Sequence, residues 1–253
     1  MTLNNYRNWL GSLVVAALML ETACTFAGPP FATDDPEPTD YQHYEVYLSF
    51  EQTHTTAGTE GNLPLLEINY GGAPNLQLSI GLPLAFSRPE GRANHNGLGD
   101  ISLGAKYRFL QESDDHPMAA FYPSVTLATG DDDRGLGEGA TQVFLPLWLQ
   151  KSWGAWQSYG GAGYNIDHHA GAKNHWFAGW QVQREISERL MLGTELFYNS
   201  EEVASKGSST GFNVGGMVHF SERHHLVFSA GRGLSNARQT NQFSSYLGYE
   251  LTW

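Results

Sequence analysis

The stretch at residues 243–253 reads FSSYLGYELTW, and its apolar and polar residues alternate almost without fault. A β-strand places successive side chains on opposite faces, so one face of this stretch is apolar and aromatic while the other is polar. The edge strand of a soluble sheet rarely ends on a terminal Trp. The closing strand of a transmembrane β-barrel does carry an aromatic residue at the membrane interface, and the stretch therefore favours such a barrel.

Composition agrees with a barrel and excludes several other classes of protein. Of the 253 residues, 29 are Gly, 13% are aromatic and only 16% are charged. The mean hydropathy is -0.35, and no apolar run beyond residue 27 is long enough for a membrane helix. The formal net charge of -12 argues against nucleic acid as a partner, because an acidic protein repels phosphate groups.

The N-terminus has the features of a secretory signal, which places the protein beyond the inner membrane. Arg7 supplies the positive charge, residues 9–20 supply the apolar segment, and TFA at 25–27 offers a cleavage site. Cleavage there removes Cys24, the single cysteine. Lipidation of Cys24 is the weaker alternative, because Glu21 stands where a lipidation motif needs a bulky apolar residue. The predicted domains are a signal peptide at 1–27, an irregular periplasmic N-terminal segment at 28–40 and an outer-membrane β-barrel at 41–253.

Twelve alternating stretches follow, each about as long as a tilted transmembrane strand needs to be. One of them alternates Leu78, Ile80 and Leu82 with Ser79 and Gly81. A soluble β-sandwich shows the same alternation with its apolar face inside, so the signal peptide, the terminal Trp and the even strand number favour the membrane. We predict an all-β fold, a single antiparallel transmembrane β-barrel of about 12 strands. The strands are predicted at 41–54, 62–71, 75–88, 98–110, 117–129, 141–153, 155–167, 174–186, 189–200, 209–221, 224–235 and 241–253.

The connections between these stretches alternate in length. Short turns of a transmembrane barrel face the periplasm and long loops face outside, so both termini are expected in the periplasm. The short connections are predicted at 72–74, 111–116, 154, 187–188 and 222–223. The longer ones are predicted at 55–61, 89–97, 130–140, 168–173, 201–208 and 236–240.

Four segments are distinctive: FATDDPEP at 31–38, HYE at 43–45, GLGDISLGAKY at 97–107 and TGD at 129–131. They resemble segments of the meta-pathway phenol-degradation family of outer-membrane proteins, which are described as transporters. The resemblance covers most of the chain beyond the signal, and the Gly-x-Gly-Asp segment that opens a strand is moderately specific. It implies a barrel that acts as a channel, linked to aromatic degradation by pathway association. It implies no substrate and no catalytic residues.

The alternation also predicts which side chains face the lumen, whose size lies between filled small barrels and water-filled porins. Lys106 and Arg108 are predicted to face carboxylates across the lumen. Such charges would create a transverse electric field, as in a selective channel, or would form ion pairs that only hold the barrel closed. Inward aromatic residues predict a path for a small apolar or aromatic solute, or side chains that fill the lumen. The lumen-lining candidates are Glu45, Tyr47, Glu51, Glu67, Lys106, Arg108, Trp148, Tyr159, Glu195, Tyr246 and Glu250, with Phe144, Gln157, Gln181 and Phe197 on the same face.

Acids and histidines in two predicted outer loops are weak candidates for metal ligands or catalysis. Residues 131–133 are three Asp, but the spacing of a calcium loop is missing. Asp-His-His at 167–169 has only His175 nearby as a further ligand. For an enzyme, His219 and Ser221 share a face, but they fall at a predicted periplasmic turn. We therefore expect no metal, no cofactor and no enzymatic activity.

These patterns together predict a passive outer-membrane channel or transporter for small solutes, with hydrophobic or aromatic compounds as the hypothesis for its cargo. The alternatives are a non-conducting structural barrel of the envelope and, less favoured, an outer-membrane hydrolase. A further hypothesis is that residues 28–40 enter the lumen as a partial plug near Lys106 and Arg108. The expected partners are outer-membrane lipid and lipopolysaccharide, the barrel-assembly machinery through the C-terminal strand ending at Trp253, and a small-molecule solute.

Overall fold

The computed structural model describes residues 29–169, 171–203 and 207–253. The predicted signal peptide at 1–27 lies outside the described residues. Within them, no helix is both long and apolar enough to cross a membrane. Their regular structure consists of β1 (Tyr44–Thr55), β2 (Gly58–Ala73), β3 (Leu76–Pro89), β4 (His95–Leu98), β5 (Ile101–Leu110), β6 (Met118–Phe121), β7 (Ser124–Leu127), a 3-10 turn (Asp132–Arg134), β8 (Gln142–Trp153), β9 (Trp156–Asp167), β10 (His175–Ser187), β11 (Leu190–Asn199), β12 (Ser209–His219), β13 (His224–Ser235), α1 (Ala237–Thr240) and β14 (Phe243–Thr252).

These strands form one closed antiparallel sheet. Neighbours in the chain pair with one another, and β14 returns to pair with β1 along almost its whole length. β4 and β5 both pair with β3 and make one barrel strand, which is interrupted at Gly99 and Asp100. β6 and β7 share the next position, between β5 and β8, with Tyr122 and Pro123 at the interruption. The result is a barrel of twelve strands, which confirms the predicted fold class.

The two faces of the barrel wall differ in chemistry as the alternation predicts. On β3, Leu78, Leu82 and Leu84 are exposed on the outer surface, whereas Gln77 and Ser79 are buried inside the barrel. Large apolar side chains are exposed on the outside of most other strands as well. A barrel with an apolar outer surface and a polar interior is suited to a surrounding of lipid rather than water.

Aromatic side chains collect at both ends of the barrel. Where the two ends of the sheet meet, Tyr44 stacks on Tyr70 and on Trp253, with ring centroids 4.6 and 5.2 Å apart. At the opposite end, the rings of Tyr164 and Trp176 lie 4.9 Å apart. We call these ends the Trp253 rim and the loop rim. Aromatic residues at two levels are typical of the two interfaces of a membrane.

One predicted connection is wrong. Residues 55–61 were expected to form a longer loop, but β2 begins at Gly58 and only Thr56 and Ala57 separate it from β1. Gly58 has a φ of 146°, and a Cβ at this position would lie 2.3 Å from the carbonyl oxygen of Arg88 on the neighbouring strand. The absence of a side chain therefore lets both strands continue to a tight turn. The described residues of the other predicted longer connections lie at the loop rim, and the last of these connections contains α1.

Candidate functional site

The N-terminal segment lies inside the barrel. Residues 29–40, here called the lumen segment, have no helix or strand, as expected for a stretch rich in Pro and Asp. Phe31, Thr33 and Asp34 are each no more than 3% exposed. Because loop backbone is usually found at the surface, such burial needs specific partners for the polar groups of the segment.

One set of partners lies on β3 and β5. The backbone N–H and the hydroxyl of Thr39 both donate to Oε1 of Gln77, at 2.8 and 3.0 Å. Lys106 Nζ donates to Oδ1 of Asp34 at 3.1 Å and lies 3.7 Å from Oδ1 of Asp35. The ammonium of Lys106 is therefore neutralised by the lumen segment itself.

A second set of partners lies on β11 to β13. The backbone N–H groups of Ala32 and Thr33 donate to the two carboxylate oxygens of Glu195, at 2.7 and 2.8 Å. The hydroxyl of Ser229 donates to the carbonyl oxygen of Pro30. On the adjacent strand β10, Gly179 allows the lumen segment to approach the barrel wall closely. A Cβ at this position would lie 2.1 Å from Oγ1 of Thr33.

The two sets of partners are on opposite walls. β3 and β11 are separated by half the circumference of the twelve-strand barrel. The lumen segment therefore crosses the interior from one wall to the other, and its backbone hydrogen bonds to Glu195 hold it there. The segment that the sequence predicts to be irregular therefore lies within the barrel, and it is close to Lys106 as the plug hypothesis requires.

The eleven predicted lumen-lining residues fall into three groups. Their common role in lining a conducting path stays a prediction, but the structure shows which of them meet. The first group lies on β1, β2 and β14, the second on β5, and the third on β8, β9 and β11. These groups are Glu45, Tyr47, Glu51, Glu67, Tyr246 and Glu250; Lys106 and Arg108; and Trp148, Tyr159 and Glu195.

Four residues of the first group form a surface that we call the acidic wall. They are Glu45, Tyr47, Glu67 and Glu250. Tyr47 is in register with Glu250 on one side and with Glu67 on the other. Its hydroxyl donates to Oε1 of Glu250 at 3.0 Å, and Asn69 Nδ2 donates to Oε1 of Glu67 at 3.0 Å. Three carboxyl groups are thus held side by side on neighbouring strands.

The second group does not pair with the acidic wall. Arg108 donates through Nε and Nη2 to Oδ1 of Asn75, at 3.0 and 2.8 Å, and its Nη1 lies 3.9 Å from Glu37 in the lumen segment. Lys106 is occupied by Asp34 and Asp35, as described above. Both predicted cations therefore contact the lumen segment, and neither forms an ion pair across the lumen with a carboxylate of the acidic wall.

The third group lies beside an aromatic cluster. Tyr122, Phe144, Trp148 and Phe177 are buried against one another, and Trp148 is 0% exposed. The rings of Phe144, Trp148 and Phe177 pack edge to face, with centroids 6.1 to 6.4 Å apart. Ala32 of the lumen segment packs on the same cluster. Of the two alternatives for the inward aromatic residues, this packing fits the filling of the lumen.

Sequence reasoning did not foresee the role of Asp100. The backbone N–H groups of Thr129 and Gly130 donate to Oδ1 of Asp100 at 2.9 and 2.7 Å, and that of Glu138 donates to Oδ2 at 2.7 Å. These bonds hold residues 128–141, here called the inward loop, at the mouth of the barrel. The Gly-x-Gly-Asp and Thr-Gly-Asp segments thus meet in space. Both are distinctive motifs of the sequence, and this was the available signal of a shared role.

The inward loop and the lumen segment leave two cavities at the loop rim. Leu136 of the inward loop is buried, and it helps to line a cavity of about 480 Å³. A second cavity of about 270 Å³ borders the lumen segment and extends from β1, β2 and β14 to β10 to β13. Glu51 and Leu65 border both cavities. A small solute that enters from the loop rim therefore reaches the inside of the barrel on the side of β1 and β2.

The acidic and histidine-containing loops have structural contacts. Asp131 accepts from the N–H of Arg134 at 3.2 Å and begins the 3-10 turn. Asp167 accepts from Nε2 of Gln142 at 2.9 Å and from the N–H of His169 at 2.8 Å. Among the residues that the structure describes, no group of three or more His, Cys, Asp or Glu is arranged to hold a metal ion.

The pair considered for catalysis is engaged separately. Nδ1 of His219 lies 2.8 Å from Nδ1 of His225, its cross-strand neighbour. Oγ of Ser221 accepts from the N–H of Arg223 at 3.3 Å within the turn. A nucleophile must lie within hydrogen-bonding reach of its base, and this contact between Ser221 and His219 is not among those formed in the described structure.

Replacement of Asp100 by Ala is expected to release the inward loop. Three backbone N–H groups lose a carboxylate acceptor, each worth about 1.5–3 kcal/mol as a bond to a charged group. Trypsin should then cleave the folded barrel after the exposed Arg134 about tenfold faster or more. Asp133→Ala, in the same loop but exposed, is the matched control. Equal cleavage rates in D100A and D133A would contradict this role of Asp100.

A closed barrel of twelve antiparallel strands with an apolar outer surface and a polar lumen has the architecture of an outer-membrane β-barrel. The family model described as "Putative MetA-pathway of phenol degradation" matches residues 33–251. The chain belongs to this family. A comparison with curated proteins found no match.

Three solved structures with the same fold are an outer membrane channel and two porins. The COG4313 outer membrane channel from Pseudomonas putida F1 is 18% identical, with a TM-score of 0.64 over 86% of this chain and 99% of the channel. The KdgM porin, in complex with disordered oligogalacturonate, is 10% identical, with a TM-score of 0.59 over 83% and 99% of the two chains. The NanC porin is 9% identical, with a TM-score of 0.58 over 82% and 98%.

Proposed function

We propose that this protein is a passive channel of the outer membrane for small solutes, narrowed by its own N-terminal segment. The observation that carries the proposal is the partly filled lumen, in which cavities of about 480 and 270 Å³ open from the loop rim beside polar inward residues. A polar interior suits hydrated solutes, and constriction by a loop and a segment limits their size. The channels and porins of the same fold support this function. Export by the predicted signal peptide and assembly through the strand ending at Trp253 are part of the proposal.

Hydrophobic or aromatic compounds are a second candidate for the cargo. Leu65, Phe86 and Leu136 give the larger cavity an apolar side, and the family's description names phenol degradation. Ligand sites for such compounds combine apolar walls with a few polar groups, and His95 and Gln142 supply polar groups there. The packing of Trp148 in the aromatic cluster argues that such a solute binds in this outer cavity rather than among the inward aromatic residues.

Liposome swelling with the purified, processed barrel tests the proposal. Small sugars and amino acids should enter proteoliposomes, and oligosaccharides should be excluded, because the lumen segment limits the free cross-section. Phenol diffuses through lipid by itself, so charged phenolic acids are the better probe for aromatic cargo. Liposomes without protein and liposomes with heat-denatured protein are the controls.

The same measurement separates the rival functions. A structural barrel of the envelope leaves every solute excluded, and that result contradicts the channel. Release of fatty acids or peptides by the purified barrel would instead indicate a hydrolase. Preferential uptake of phenolic acids over sugars of the same size would support the aromatic cargo.

A further inference from the structure

The charges in the lumen are unevenly distributed. Lys106 lies within 4 Å of both Asp34 and Asp35, so the lumen segment already supplies more negative charge than this ammonium neutralises. Glu45, Glu67 and Glu250 add three further carboxyl groups on the acidic wall. In the part of the chain that the structure describes, none of these three forms an ion pair.

The acidic wall also carries acceptor atoms without donors. Oε2 of Glu250 and Oδ1 of Asn69 are buried and have no hydrogen-bond partner among the described residues. Their side chains are largely enclosed, with 6% of Glu250 and 4% of Asn69 exposed. Buried oxygen acceptors are normally satisfied, so a wall with spare oxygens and no cationic side chain within ion-pair distance has the chemistry that attracts a cation.

The free space of the lumen reaches this wall at Glu67. The cavity of about 270 Å³ is bordered by Asn241 at the loop rim, by Pro30 and Ala32 of the lumen segment, and by Glu67 and Tyr246 of the barrel. The opposite half of the lumen is filled by the aromatic cluster around Trp148. A solute that passes the lumen segment through this cavity therefore has β14, β1 and β2 on one side and β10 to β13 on the other.

We propose that this channel selects small cations, which pass off-centre between the lumen segment and the acidic wall, with Glu67 and Glu250 as selectivity-determining residues. The proposal rests on the channel function proposed above and names its substrate class: inorganic monovalent cations and small organic ammonium ions. Carboxylates that line a narrow path attract cations and repel anions at close range. A tightly chelated metal is a different case, and the described residues offer no cluster of metal ligands.

Reversal potentials in planar bilayers under a KCl gradient test this inference on the full processed chain. The wild-type channel should pass K⁺ in preference to Cl⁻. In the double variant E67Q/E250Q, which keeps side-chain size and removes two charges, the permeability ratio of K⁺ to Cl⁻ should fall by about threefold or more. Glu188→Gln is the matched control, because it removes one charge at an exposed turn of the Trp253 rim.

Each outcome has a distinct meaning. Conductance with no cation preference, or an equal permeability ratio in E67Q/E250Q and E188Q, would overturn the cation path and leave the channel function standing. A lack of conductance in the wild type, together with exclusion of all solutes from liposomes, would contradict the channel function itself. If the double variant does not fold, as judged by its migration on gels before and after heating, E67Q and E250Q are measured separately and should each lower the ratio.

Discussion

Removal of residues 28–40, with the signal at 1–27 kept in place, is expected to raise the single-channel conductance roughly threefold or more. The lumen segment crosses the barrel from Gln77 on one wall to Glu195 on the other, so it occupies the middle of the cross-section. Conductance depends on the narrowest cross-section of the path. The lumen of a twelve-strand barrel lies in size between filled small barrels and water-filled porins, so removal of the segment should widen the path through it.

The measurement is conductance in planar bilayers, with liposome swelling by oligosaccharides as a second readout. Asp40→Asn is the matched control, since it leaves the segment in place and changes an exposed carboxylate at its end. The deletion should admit oligosaccharides that the wild-type barrel and D40N exclude. Unchanged conductance after the deletion would mean that the lumen segment is no constriction.

The barrel itself was predictable because its residues alternate with the period of a strand. On β5, Leu103, Tyr107 and Phe109 are exposed outside and Lys106 is buried inside, as the alternation predicts. Strand alternation reports which face a side chain occupies, and closure into a barrel then makes one face the lumen. Connections were less predictable, since the early start of β2 depends on the close approach of Arg88 to Gly58.

For the interior, the sequence predicted which side chains point inward but not which of them contact one another. Glu195 and the lumen segment are separated by more than 150 positions in the chain, and their contact follows from barrel closure, which no local pattern reports. Alternation placed Trp148 inside but gave no information on whether it lines a path or packs on Phe177. Asp100 acts on backbone N–H groups, which every sequence contains, so the two distinctive motifs marked the site but did not show that Asp100 binds the inward loop.

The carboxylate of Glu195 is expected to be the strongest single anchor of the lumen segment. It accepts from the backbone N–H groups of Ala32 and Thr33 and from Nδ2 of Asn213, the last at 2.6 Å. Glu195→Ala removes all three acceptor contacts inside the barrel. A buried donor left without an acceptor costs about 1–3 kcal/mol, so the variant should lose several kcal/mol in the free energy of unfolding or release the segment to restore solvation.

Two readouts separate these results. Loss of stability lowers the temperature at which the barrel changes its migration on gels, and release of the segment raises the single-channel conductance toward that of the deletion variant. Glu195→Gln should have a smaller effect than E195A, because an amide keeps one acceptor oxygen but places an NH₂ group against a backbone donor. Glu185→Ala, at an exposed position of β10, is the control. Since no cation pairs with Glu195 in the described structure, its effect must come from these hydrogen bonds, and E195A with wild-type stability and conductance would refute the anchoring role.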